Sequence, residues 1–122
     1  EESPAFCRRL HRKVIKALRV KDPSSLTGLD SYRVSGFLLD AFSEEREGGT
    51  GQTFDWNLVH RAKKFGPVIL AGGLHANNVS QAIRQVRPYG VDVCSGVERS
   101  PGVKDPAKVQ AFLKTVRETR IL

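Results

Sequence analysis

The chain has 122 residues, 39% of them hydrophobic and 27% charged, the balance of one globular domain spanning residues 1–122. No apolar run approaches the ~20 residues needed to cross a bilayer, and the opening Glu1-Glu2-Ser3-Pro4 lacks the basic and apolar regions of a secretory leader. The net charge of +7 would suit nucleic acid, an anionic membrane or a phosphorylated metabolite, but the cations are spread over helical segments and the 7% of aromatics do not interleave with them. That distribution argues against nucleic acid and membrane as partners.

Two cysteines, Cys7 and Cys94, make no disulfide framework and read as thiols of a reducing compartment, hence a cytoplasmic location. His11, His60 and His75 are far apart and form no ligand pattern with them. No metal site is expected.

In chain order, Pro4 to Leu10 predicts a short helix, and Val14 to Leu18 a strand. Asp22-Pro23-Ser24-Ser25 is a helix-start signal, with a brief helix or turn running on to Leu29. Phe37-Leu38-Leu39, closed by Asp40, predicts a buried strand. Ser43 to Thr53 is polar and glycine-rich, a loop. Phe54, Leu58, Val59 and Ala62 then repeat at helical spacing until Gly66-Pro67 stops the helix.

Val68-Ile69-Leu70-Ala71 is the next strand, ended by Gly72-Gly73. Asn77 or Asn78 can cap a helix whose Val79, Ala82, Ile83 and Val86 share one face, and Pro88-Tyr89-Gly90 breaks it. Val91-Asp92-Val93-Cys94 predicts a fourth strand, ended by Ser95-Gly96. Asp105-Pro106 opens a last helix with Val109, Phe112, Leu113 and Val116 inward. Strands alternating with helices imply a parallel α/β sheet with right-handed crossovers, in either an open sheet or a barrel.

Ligand sites in such folds lie at the C-terminal ends of the strands. Asp40 stands there beside Leu38 and Leu39. Burial at the mouth of an apolar sheet would raise its pKa and suit a general acid; the other reading is a loop-capping carboxylate. Gly72-Gly73 and Ser95-Gly96 each join a strand to a helix. Either these glycines make tight turns, or the two turns together form a phosphate cup from backbone N–H groups and the Ser95 hydroxyl. Gly48, Gly49, Thr50 and Gly51 lack the spacing of a P-loop and read as a mobile lid, an anion nest or a connector.

Five linked segments carry a family resemblance. They are Leu38-Leu39-Asp40-Ala41; Gly48-Gly49-Thr50-Gly51 with Phe54-Asp55-Trp56; Leu70-Ala71-Gly72-Gly73-Leu74 with Asn78-Val79; Gly90 through Glu98; and Pro101-Gly102-Val103-Lys104-Asp105. In order and spacing they resemble phosphoribosylanthranilate isomerase, and Val14-Ile15-Lys16-Ala17 is similar to the fifth strand of that family's TIM (β/α)8 barrel. The resemblance implies that this chain covers roughly strands five to eight, a half barrel, with Glu1 falling just after the fourth strand.

It also implies the reaction: an Amadori rearrangement of an N-(phosphoribosyl)anthranilate to a 1-deoxyribulose phosphate in tryptophan biosynthesis, without metal or cofactor. Asp40 would be the general acid. Gly72, Gly73, Ser95 and Gly96 would hold the substrate phosphate, and Gly48, Gly49, Thr50 and Gly51 would form a substrate loop. The family's base is a first-strand cysteine, which neither Cys7 nor Cys94 matches. Cys94 stands where the family usually has serine, and His75-Ala76 depart from the usual residues. The chain alone is therefore expected to be inactive, and to pair with a second copy or with an N-terminal half. The alternatives are a non-catalytic phosphate-binding half-barrel module and another phosphosugar barrel enzyme, such as indoleglycerol phosphate synthase or a histidine-pathway isomerase.

Overall fold

A computed structural model of the chain describes residues 2–41 and 56–120. Its first element is helix α1 (Pro4–Arg9), started by the Ser3 side chain, which accepts from the Phe6 N–H, with Pro4 in the first turn. Strand β1 (Ile15–Arg19) follows, then two 3-10 turns, Pro23–Leu26 and Leu29–Ser31. The first of these turns is closed by a capping box between Asp22 and Ser25.

Strand β2 (Gly36–Asp40), helix α2 (Trp56–Ala62), strand β3 (Val68–Ala71) and helix α3 (Val79–Val86) fall within a residue or two of the sequence expectation. Short strand β4 (Gly90–Val91) comes next, then an antiparallel ribbon of β5 (Glu98–Ser100) and β6 (Val103–Lys104), and finally helix α4 (Pro106–Glu118). Asp105 caps α4 by accepting from the N–H groups of Ala107 and Lys108.

Strands β1 to β4 form one parallel sheet in chain order. Consecutive strands lie side by side because each crossover returns the chain to the same end of the sheet. Side chains alternate between the two faces. Phe37 and Leu39 of β2 and Val68 and Leu70 of β3 point into the helical layer and are all but fully buried. There they meet Val59 and Ala62 of α2, Val79, Ala82 and Val86 of α3, and Phe112 of α4. Leu38 and Asp40 leave from the opposite face, and both are half-buried.

The half-barrel expectation is corrected here. The described residues form a parallel-strand α/β sheet whose last strand pairs over only Ile69↔Gly90 and Leu70↔Val91, together with an antiparallel ribbon that belongs to no β/α repeat. The parallel α/β reading, with TIM-barrel-type alternation of strand and helix, stands without it.

Three smaller expectations also change. The fourth strand does not run to Cys94: the Asp92 N–H still donates to the Leu70 carbonyl, but Ser95–Val97 is a 3-10 turn. Leu113 does not join the apolar face of α4; it is 44% exposed because Val109, Phe112 and Val116 already fill the stripe facing α3. Asn78 precedes α3 without a side-chain cap bond to it. The predicted loop of Gly48, Gly49, Thr50 and Gly51 lies outside the described residues. No helix among the described residues is long and apolar enough to cross a membrane.

Candidate active site

Strand β2 ends in Asp40 and β3 in Ala71, directly paired. Beyond Ala71 the chain turns sharply through Gly72 and Gly73, with φ of +93° and +62°. Side chains rarely adopt that left-handed region, so these positions require glycine. The turn is braced by Asn78, whose side-chain amide donates to the Gly73 carbonyl at 2.9 Å and whose oxygen accepts from the His75 N–H at 2.8 Å. Asn78 therefore serves the strand end before it rather than the helix after it.

The second turn follows Cys94, whose backbone (φ −124°, ψ −88°) swings Ser95–Val97 toward the first. Gly96 packs backbone to backbone on Leu74, so the two glycine turns meet directly. The turn is held from below by the ribbon. Lys104 Nζ donates to the Cys94 carbonyl at 2.9 Å and stands 3.7 Å from the Glu98 carboxylate, and Lys108 Nζ donates to the Glu98 carbonyl at 2.8 Å. Glu98 also accepts from the Gly102 N–H, fastening the far end of the ribbon. None of these ribbon contacts was legible in the sequence.

Between the two turns and Asp40 lies a cleft of about 210 Å³. It brings together Asp40, Gly72, Gly73, Ser95 and Gly96, the catalytic and phosphate residues expected from sequence. It also takes in Asp92, which the sequence reading passed over as a strand residue. The signal was there: one position beyond Val91, Asp92 has the parity that faces the cleft rather than the helices. Cys94 lines the cleft, exposed, while Cys7 is buried on α1.

The backbone N–H groups of Gly72, Gly73, Ser95 and Gly96 make no hydrogen bond among the described residues. Four such donors around one cleft are a ready anion site. Two carboxylates, on the strand ends that flank β3, can donate or accept a proton at whatever the anion carries. Among the described residues no group of three or more His, Cys, Asp or Glu is placed to hold a metal.

A parallel α/β sheet with acidic groups and glycine turns on one strand-end cleft defines the class: an α/β protein with a cleft at the C-terminal ends of its strands. The family model for N-(5'phosphoribosyl)anthranilate (PRA) isomerase matches residues 1–115. The chain belongs to that isomerase family. It is 60% identical over 117 residues to the N-(5'-phosphoribosyl)anthranilate isomerase of Geotalea uraniireducens, an alignment covering 96% of this chain and 58% of the relative.

Among solved structures it superposes on the phosphoribosyl anthranilate isomerase of Thermotoga maritima with a TM-score of 0.82 at 38% identity, covering 96% of this chain and 58% of that one. It also superposes on a phosphoribosyl anthranilate isomerase in complex with reduced 1-(o-carboxyphenylamino)-1-deoxyribulose 5-phosphate, with a TM-score of 0.79 at 36% identity, covering 96% and 56%. The chain thus spans somewhat over half the length of the relatives it matches. The family match covers residues 1–115, and the half-barrel description is not kept. The comparisons lend no support to the expectation that the chain alone is inactive.

Proposed function

We propose that this protein isomerises N-(5'-phosphoribosyl)anthranilate in tryptophan biosynthesis, with the cleft between β2, β3 and β4 as its site. One observation supports this most: in a member of that family, Asp40 and both glycine turns converge on a single cleft. The N–H groups of Gly72, Gly73, Ser95 and Gly96, with the Ser95 hydroxyl, take the substrate phosphate. This anchors the ribose across the sheet with its ring oxygen toward Asp40.

The Asp40 carboxyl gives its proton to the ring oxygen as the bond from C1 to that oxygen breaks. The anilino nitrogen supplies its lone pair to C1, forming a Schiff base. A base then removes the C2 proton, its electron pair forming the enolamine, which takes a proton at C1 and gives up its C2 hydroxyl proton to become the ketone. By the family resemblance that base is a first-strand cysteine; Cys7 and Cys94 are not assigned to it. Asp92 accepts hydrogen bonds from the sugar hydroxyls beside Asp40. Gly48, Gly49, Thr50 and Gly51 are proposed as the substrate loop. No metal or cofactor is invoked. A cytoplasmic location and association with a second copy are proposed with this reading; the exposed apolar side chains of Phe6, Leu10 and Ile15 favour a self-contact.

The test is turnover of N-(5'-phosphoribosyl)anthranilate by the wild type and by Asp40→Asn. The expected result is a fall in kcat of about 10²- to 10⁴-fold with an unchanged melting temperature. Equal turnover by the two proteins would remove Asp40 from the reaction, and phosphate binding without turnover in the wild type would favour a non-catalytic module.

A further inference from the structure

The segment Pro101-Gly102-Val103-Lys104-Asp105 carries part of the family resemblance but does not line the cleft. It forms the far half of the ribbon. Gly102, at φ +78°, turns the chain back so that Lys104 pairs with Glu98. The next residue fixes the strand from the other side: the Asp105 N–H donates to the Val97 carbonyl at 2.8 Å, and the Asp105 side chain caps α4. The Lys104 backbone is thereby clamped, and its side chain starts from a set position.

From there the Lys104 ammonium reaches the second glycine turn. It donates to the Cys94 carbonyl at 2.9 Å and stands 3.7 Å from both the Cys94 Sγ and the Glu98 carboxylate. Glu98 is the anchor: its side chain is 10% exposed, accepts from the Gly102 N–H and lies 3.6 Å from the Cys94 Sγ. The Val97 N–H also donates to the Cys94 carbonyl, but at 3.3 Å, so Lys104 is the closer partner.

The Cys94 carbonyl and the Ser95 N–H belong to one planar trans peptide and point in opposite directions. Whatever holds the carbonyl therefore aims the N–H. Ser95 lines the cleft, and its N–H makes no hydrogen bond among the described residues. A cation on the carbonyl also draws electron density along the peptide and strengthens that N–H as a donor to an anion. We propose that Lys104 is a positioning residue of the phosphate cup: it orients and polarises the Cys94–Ser95 peptide for the substrate's phosphate without touching it. This rests on the phosphate reading of the cleft and gives the ribbon its part in it.

The test is calorimetric titration of inorganic phosphate into the full chain, wild type and variants, with thermal melts alongside. Lys104→Met is expected to weaken binding about tenfold, and Lys104→Arg, which can still donate to the carbonyl, to recover most of the loss. Lys108→Met is the control. It removes an equal charge from beside the same ribbon, but the Lys108 ammonium donates to the Glu98 carbonyl at 2.8 Å rather than to that of Cys94. Its phosphate affinity should stay within about twofold of the wild type even where its melting temperature falls. Should Lys104→Met not fold, Lys104→Gln takes its place with the same expectation. An equal loss in Lys108→Met overturns the proposal, because net charge or ribbon stability would then account for the effect, and so does a failure of Lys104→Arg to rescue. Wild-type binding that Lys104→Met leaves unchanged overturns the role of Lys104 alone; a wild type that takes up no phosphate overturns the cup and that role with it.

Discussion

Gly96 lies so close to the Leu74 carbonyl that a Cβ built on it would sit 1.8 Å from the Leu74 oxygen and 3.2 Å from the His75 Cβ. Backbone blocks that space, so no rotamer change relieves the clash. Gly96→Ala must push the two turns apart, and it is expected to destabilise by about 1–3 kcal/mol and to weaken phosphate binding by tenfold or more. Gly90→Ala is the control: its Cβ would meet only Ile69 Cγ1 at an ordinary 3.9 Å, so melting temperature and binding should hardly move. Thermal melts and phosphate titrations on both variants check the contrast.

Asn78 offers a finer probe, because its two bonds can be removed separately. Asn78→Ala loses both and should cost about 1–3 kcal/mol. Asn78→Asp keeps an acceptor for the His75 N–H but loses the donor to the Gly73 carbonyl. If Asn78 fixes the glycine turn, the Asp variant should keep part of the stability yet bind phosphate as poorly as the Ala variant.

At the other end of β1, Lys16 is buried at 4% exposure with its ammonium 3.0 Å from the Glu2 carboxylate and 5.8 Å from the centre of the Tyr32 ring. Burial pulls the Lys16 pKa down, but the Glu2 hydrogen bond and charge outweigh it, so the net shift is above the ordinary 10.5. Glu2 is held below its ordinary 4.5, first by a backbone hydrogen bond and then by Lys16. A raised lysine stabilises the fold fully below its unfolded pKa and loses that contribution as pH rises through the folded value. A lowered carboxylate stabilises above its unfolded pKa and loses its contribution as pH falls through the folded value. Denaturant midpoints should therefore plateau between about pH 5 and 10 and fall on both sides. Glu2→Gln should lower the plateau and flatten both flanks.

Asp92 tests the reading of the cleft from its less obvious side. Asp92→Asn removes a carboxylate but keeps the shape, and the backbone N–H bond to the Leu70 carbonyl is untouched. Steady-state kinetics should show a loss in kcat/KM of about tenfold to a hundredfold with unchanged melting. No loss would restrict the site to Asp40 and the glycine turns.

Much of this was legible because local and tertiary signals agree. Strands β2 and β3 are apolar runs punctuated by Asp40 and by Gly72-Gly73, and burial on both faces needs just such runs. Strand β4 was drawn too long because Val91-Asp92-Val93-Cys94 has a strand's composition; its course is set instead by the contact of Gly96 with Leu74, which no local pattern encodes. The ribbon was missed because Glu98–Ser100 and Val103–Lys104 bury little and are held by Glu98 and Lys104 through bonds to distant backbone. Asp92 was passed over because its place at the cleft lies in register, one step past Val91, and register is a property of paired strands rather than of one segment.

The two glycine turns are proposed as a phosphate site next to Asp40. Calorimetric titration of inorganic phosphate into wild type, Gly73→Val and Asp40→Asn tests it most directly. Binding is expected for the wild type and for Asp40→Asn, and its loss in Gly73→Val, whose side chain would be forced into a left-handed backbone. Binding that survives Gly73→Val, or that disappears with Asp40→Asn while the fold is intact, would place the phosphate elsewhere and contradict it.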